Sequence, residues 1–159
     1  MDRVIPFINK AEQTGTPFFA CIWFHTPHEP VIAGPEYLKM YEGLEPEMKM
    51  HYYGCITAMD EQIGRLREEL KKRGLDQNTI IWFCSDNGPA DPMVKIGVGS
   101  AGPFRGHKHM VYEGGLRVPS LLIWPGKAEA GKKVTTLAGT VDYFPTIVEM
   151  ANLKVIKSS

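Results

Sequence analysis

Residues 79–88 read TIIWFCSDNG (Thr79–Gly88). Ile80, Ile81, Trp82, Phe83 and Cys84 form a short apolar run. It is rich in β-branched and aromatic side chains and is closed by serine, aspartate, asparagine and glycine. Such a run bounded by turn formers reads as a buried strand that ends in a sharp, polar turn. Upstream, PFFACIWF (Pro17–Phe24) has the same character and reads as a second buried strand. Downstream, Ser120–Trp124 is a third apolar run, stopped by Pro125 and Gly126. Between the first two runs the period changes. Met48, Tyr52, Cys55, Ile56, Met59, Ile63, Leu66 and Leu70 recur at threes and fours. That spacing predicts an amphipathic helix with Pro46 near its first turn and Gly74 just past its end. Lys71, Lys72 and Arg73 fall in its last turn, where the helix dipole favours cations.

Strand, loop, helix, strand, loop, strand, helix is an α/β order. It predicts a layered, largely parallel sheet flanked by helices. The closing helix runs from Tyr143 to Leu153 with Asp142 as its N-cap. Residues 88–119 are glycine-rich and read as long irregular stretches, which are uncommon unless functional. In parallel sheets ligands collect beyond the carboxyl ends of the strands. The loop HTPHEP (His25–Pro30) and the turn SDNG (Ser85–Gly88) both follow strands at that end, so both can face one crevice.

The whole chain of 159 residues fits a single domain, 1–159. Eighteen basic residues balance eighteen acidic ones, which disfavours a phosphate-backbone binder and hence a nucleic-acid partner. No apolar run approaches the roughly 18 residues of a membrane span. The N-terminal MDRVIPFINK has no apolar core of a signal peptide, so the compartment is left open. Cys21, Cys55 and Cys84 are odd in number and widely spaced, and are expected to be buried free thiols.

Three polar clusters carry chemistry. Asp86 and Asn87 offer hard oxygen donors suited to calcium or magnesium, although Asp-Asn-Gly is also ordinary turn material. In HTPHEP the prolines exclude a helical histidine pair, and a histidine there can protonate a departing oxygen or simply be satisfied by backbone. In FRGHKHMVYEGGLRVP (Phe104–Pro119), Lys108 is a compact cation fit to grip an oxyanion, flanked by His107 and His109. Gly106, Gly114 and Gly115 permit close backbone approach, while Glu113 and Arg117 can pair across four residues. Solvent exposure is the plainer reading for Lys108. Taken together, a metal carboxylate, an acid and a lysine clamp suit metal-assisted hydrolysis of a phosphate or sulfate ester.

The segments PFFACIWFHTPHEP, YYGCITAMDEQIGRLREEL, IIWFCSDNGP, GPFRGHKHMVYEGGLRVPSLLIWPG and VDYFPTIVEMANL occur in this order from about Pro17 to Leu153. In that order they resemble the type I sulfatases of the alkaline phosphatase superfamily. The resemblance implies an alkaline phosphatase-like sulfatase domain that hydrolyses sulfate esters of sugars or aryl alcohols. It implies Asp86 and Asn87 as calcium ligands and Lys108 as a contact to the sulfate and the nucleophile. It implies His28 as a contact to the sulfate that assists the leaving oxygen. His25 does not match a functional position. His107 and His109 stand where many relatives carry glycine, and are candidate substrate contacts. The family's nucleophile is a formylglycine made from the Cys or Ser of a C/S-x-P-x-R motif, and no stretch of this sequence fits that motif. The paired aspartates and the second lysine–histidine pair of the family are also absent. The chain is therefore expected to be the C-terminal portion of a sulfatase catalytic domain, with the N-terminal half as its missing partner and inactive by itself. Relatives are often periplasmic, secreted or lysosomal. A phosphodiesterase or phosphonate hydrolase of the same superfamily is the alternative enzyme reading, and a non-catalytic protein that binds a sulfated ligand or a partner is the alternative outside catalysis.

Overall fold

The long helix predicted between the first two apolar runs organises the structure. In the computed structural model, which describes residues 1–154, it spans Met48–Lys72. Before it come α1 (Val4–Gln13) and α2 (Pro35–Met40), so the long helix is α3. After it come β1 (Ile81–Cys84), α4 (Asp91–Lys95), α5 (Glu113–Leu116), β2 (Ser120–Ile123) and α6 (Tyr143–Met150). Helix α3 ends at Gly74, whose φ of +67° is open to glycine at no steric cost. There the amide of Leu75 reaches back to the carbonyl of Leu70 at 2.9 Å and satisfies an orphan acceptor.

The apolar stripe of α3 feeds two clusters. Towards its C-terminal end, Leu66 and Leu70 bury against Ile8 of α1, with Val4, Phe18, Ile22, Leu75 and Ile81 around them. Arg73 clamps the same end, bonding Glu69 within the turn and Glu12 of α1, each at 2.7 Å. Towards its N-terminal end, Cys55 packs with Val31, Ala33, Met93 and Val98. Gly54 is required here, since a Cβ would overlap the side chains of Ala33 and Tyr37 where α2 crosses. Leu70 is only 2% exposed. Leu70→Ala is expected to cost about 2–3 kcal/mol, the lower part of the range for a buried leucine, because Phe18 and Ile22 beside it are only half-buried and can settle inward. Urea denaturation measures it.

Several sequence expectations are corrected. The sheet among the described residues has two strands, β1 and β2, and they are antiparallel, with Ile81 opposite Ile123 and Cys84 opposite Ser120. Pro17–Phe24 is neither buried nor paired in a ladder: Phe19 is 69% exposed and Trp23 90% exposed. Its composition suits a strand covered on both faces, and no described strand hydrogen-bonds to it. Strand β2 is likewise exposed along its length. Cys21 is exposed and Cys84 half-buried, leaving Cys55 as the buried thiol. The 88–119 stretch is less irregular than expected, since it contains α4 and α5. Pro92 sits in the first turn of α4, where its missing amide costs no hydrogen bond.

The chain divides into two compact units, Met1–Ala128 and a second that begins at Glu129. In the second unit Asp142 is the N-cap of α6, but its carboxylate accepts from the Gly139 amide at 2.7 Å rather than from the helix. No helix among the described residues is long and apolar enough to cross a membrane.

Candidate active site

The turn that ends β1 is fixed by its own side chains. Asp86 accepts the Asn87 amide on Oδ1 at 3.0 Å, and Ser85 donates to the Asn87 carbonyl at 3.0 Å. Asn87 donates through Nδ2 to the Gly88 carbonyl at 2.9 Å, which leaves its Oδ1 as an available acceptor. Asp86 is exposed. One amide oxygen and one carboxylate are the hard donors that calcium prefers, but calcium takes about six to eight oxygens. Among the described residues no group of three or more His, Cys, Asp or Glu converges to hold a metal. Asp86 and Asn87 therefore fit a cation as two ligands of a larger set.

The lysine loop is stitched onto this turn by backbone. Gly88 donates to the Gly115 carbonyl at 2.9 Å, and Lys108 donates to the Pro89 carbonyl at 2.9 Å. These bonds bring the Lys108 segment beside the chain that follows Asp86 and Asn87. The approach is possible because glycines meet: a Cβ on Gly88 would overlap the Gly114 carbonyl oxygen, and one on Gly114 would overlap that of Gly106. The loop is braced by cations over rings. Arg105 lies 4.0 Å from the Tyr112 ring centroid and Arg117 lies 4.5 Å from that of Phe104, contacts worth about 0.5–1 kcal/mol when exposed. Arg117 also pairs with Glu113 at 3.2 Å, the bracing pair expected from the sequence.

His28 and His25 both donate to one carbonyl, that of Glu29, each at 3.0 Å. His28 uses Nδ1, so its Nε2 is the nitrogen free to face a ligand. The loop is anchored two residues past Glu29, where Val31 buries in the cluster that contains Met93 of α4. Through that packing the His28 loop joins the α4 segment that starts beside Pro89. A shallow groove of about 470 Å³ runs alongside, lined by Glu29, Pro30, Val31, Ile32, Met48 and Met93.

The two histidines around Lys108 differ. His107 is largely buried, and its Nε2 lies 3.1 Å from Asp91 Oδ1. His109 is exposed, makes no hydrogen bond or ion pair among the described residues, and has a φ of +73°. A non-glycine residue in that region costs roughly 1–2 kcal/mol. Asp91 escaped the sequence reading. The Asp-Pro dipeptide at 91–92 signals a helix start, but nothing in it marks a partner for His107. Asp91 is held below its ordinary value of 3.8 first by the hydrogen bond from Lys95, then by the charges of Lys95 and His107. A depressed carboxylate stabilises the fold above its unfolded pKa, and that contribution is lost as pH falls through the lowered folded value. Asp91→Asn is therefore expected to flatten the stability profile below about pH 4, measured by denaturation at a series of pH values.

A carboxylate and an amide thus close β1, the backbone of the Lys108 loop is bonded beside them, and the His28 loop is anchored through Val31 against α4. The sequence profile of the sulfatase family matches residues 1–153, and the chain belongs to that family. It is 30% identical to arylsulfatase G of Mus musculus over 94% of this chain and 29% of that protein. It is 31% identical to N-acetylgalactosamine-6-sulfatase of Mus musculus over 96% of this chain and 28% of that protein. The crystal structure of Ps i-CgsB in complex with k-i-k-neocarrahexaose superposes with a TM-score of 0.90 at 32% identity, over 98% of this chain and 34% of that one. PsFucS1 sulfatase from Pseudoalteromonas sp. gives a TM-score of 0.78 at 29% identity, over 96% of this chain and 29% of that one. The chain thus spans about 29% of the length of the curated relatives it matches.

Proposed function

We propose that this chain is the C-terminal share of a sulfatase catalytic domain and that the complete enzyme hydrolyses sulfate esters. One observation supports the reading: the Lys108 amide is bonded to the Pro89 carbonyl, three residues after Asp86, which brings the backbone of the lysine beside that of the carboxylate. In this reading Lys108 neutralises a non-bridging sulfate oxygen, and His28 delivers a proton from Nε2 to the departing oxygen. Asp86 and Asn87 would hold the cation, calcium in the family with magnesium the substitute. When bound, the ion supplies charge stabilisation to the sulfate oxygens. The exposed imidazole of His109 reaches the alcohol part of the substrate, and the groove of Ile32, Met48 and Met93 accepts its apolar face. That face suits a sulfated sugar or an aryl sulfate. The formylglycine nucleophile comes from the N-terminal half of the domain, whose strands cover Pro17–Phe24 and extend the sheet in parallel.

Turnover tests the chemistry. The complete protein should release sulfate from aryl sulfates or from sulfated sugars such as N-acetylgalactosamine 6-sulfate, and lose that activity to a calcium chelator. Faster release of phosphate than of sulfate from matched esters would overturn it. Thiol labelling tests the domain assignment. Cys21 is exposed here, whereas Cys55 is buried and burial pushes its thiol up. A maleimide should label Cys21 first in the 159-residue chain, with Cys21 protected in the complete enzyme and Cys55 slow in both.

A further inference from the structure

His107 sits between two acceptors. Its Nδ1 lies 2.9 Å from the carbonyl oxygen of Lys108 and its Nε2 lies 3.1 Å from Asp91 Oδ1, and the doubly protonated imidazolium is the form that donates to both at once. The other carboxylate oxygen of Asp91 takes Lys95 Nζ at 2.6 Å. The side chain of His107 is only 19% exposed. The peptide groups on both sides of the Lys108 α-carbon are therefore tied to one segment, its N–H to the Pro89 carbonyl and its carbonyl through His107 to Asp91. Two separate fixings of consecutive peptide planes set φ and ψ at Lys108, and with them the direction in which its four-carbon side chain leaves the loop. Without the second tie, a loop bounded by Gly106 at φ +91° and by His109 at φ +73° has soft pivots on either side of the lysine.

We infer that His107 is a positioning residue for Lys108, acting through a bridge to Asp91 rather than on the substrate. The kinetic consequence rests on the sulfatase reading, whereas the bridge rests on the contacts of His107 with Asp91 and with the Lys108 carbonyl. A lysine that meets the sulfate in the transition state works only when correctly aimed, and a displacement of about 1 Å lowers turnover by up to about 100-fold. The chemistry of the two histidines then divides: the strained, exposed His109 faces outward, and the bridged His107 aims its neighbour.

A double-mutant cycle in the complete protein tests this. His107→Ala and Asp91→Ala are each expected to lower kcat for sulfate ester hydrolysis about 10- to 100-fold with KM changed less than about twofold. The double variant should be no worse than the poorer single, because one bridge is lost in each case. A rise in KM at unchanged kcat for His107→Ala would instead place His107 on the substrate, and additive losses would break the link to Asp91. Asp91 is half-exposed in the first turn of a short helix, so Asp91→Ala keeps the test open if His107→Ala misfolds. Amide exchange gives a readout independent of catalysis. The Lys108 amide should exchange faster by the same factor in both single variants and in the double. If the unmodified protein hydrolyses no sulfate ester, the proposed function fails. Unchanged exchange in the single variants would refute the bridge whatever the activity.

Discussion

Lys108→Ala in the complete enzyme is expected to lower kcat by about 10²–10³-fold, the loss seen when one preorganised oxyanion donor is removed. Lysine is a point charge with three donors, and at this position its backbone is bonded to Pro89 and its loop is sealed by glycine contacts. The energy of ordering the Lys108 backbone is thus spent during folding, before substrate arrives. Lys108→Arg should not restore the rate, since the planar guanidinium is longer and presents its donors in a fork. Stability should change by less than about 0.5 kcal/mol in either variant, as for other half-exposed substitutions without a packing role. Steady-state kinetics paired with urea denaturation separates the two effects. A kcat within twofold of the unmodified protein would remove Lys108 from the pocket.

Gly88→Ala is expected to be the most destabilising conservative change in the chain, at about 4 kcal/mol or more. The added methyl would overlap the carbonyl oxygen of Gly114 and crowd the Gly115 α-carbon. Those atoms are backbone, so relief requires the 86–91 and 104–117 segments to separate. Separation breaks the Gly88–Gly115 and Lys108–Pro89 hydrogen bonds together. Gly97→Ala is the matched control, since nothing lies within 4 Å of its Cβ position. Its φ of +70° confines the expected cost to roughly 1–2 kcal/mol of backbone strain. Denaturant midpoints of the two variants measure the difference, and comparable losses would show that the close approach at Gly88 is not what holds the loops.

Helix α3 was legible in the sequence because burial writes itself along one segment. Cys55, Leu66 and Leu70 fall on the predicted stripe, and Pro46 and Gly74 bracket it. Strand β1 was legible from its β-branched and aromatic run, although it is half-buried rather than buried, and the Glu113–Arg117 pair because four residues span one helical turn. The direction of strand pairing was not. An apolar run states that a strand is wanted on a covered surface, but the partner and its sense belong to another part of the chain. Ser120–Ile123 accordingly runs antiparallel to β1, and Pro17–Phe24 has no ladder at all among the described residues.

Local signals marked the clusters, a polar turn after a strand, prolines that exclude helix and glycines around a cation, but it was the resemblance to the sulfatases that singled out Asp86, Asn87, His28 and Lys108 within them. What the sequence determined is thus which groups are present and which elements carry them. Only the tertiary structure distinguished His107 from His109, two residues of one type flanking the same lysine. The distinction rests on Asp91, sixteen residues before His107 in the chain, which partners His107 and leaves His109 exposed at a φ of +73°. Local chemistry is encoded by neighbours in sequence. A hydrogen bond across two loops depends on how the backbone between them folds, and that is settled by the close glycine packing of Gly88 against Gly114 and Gly115.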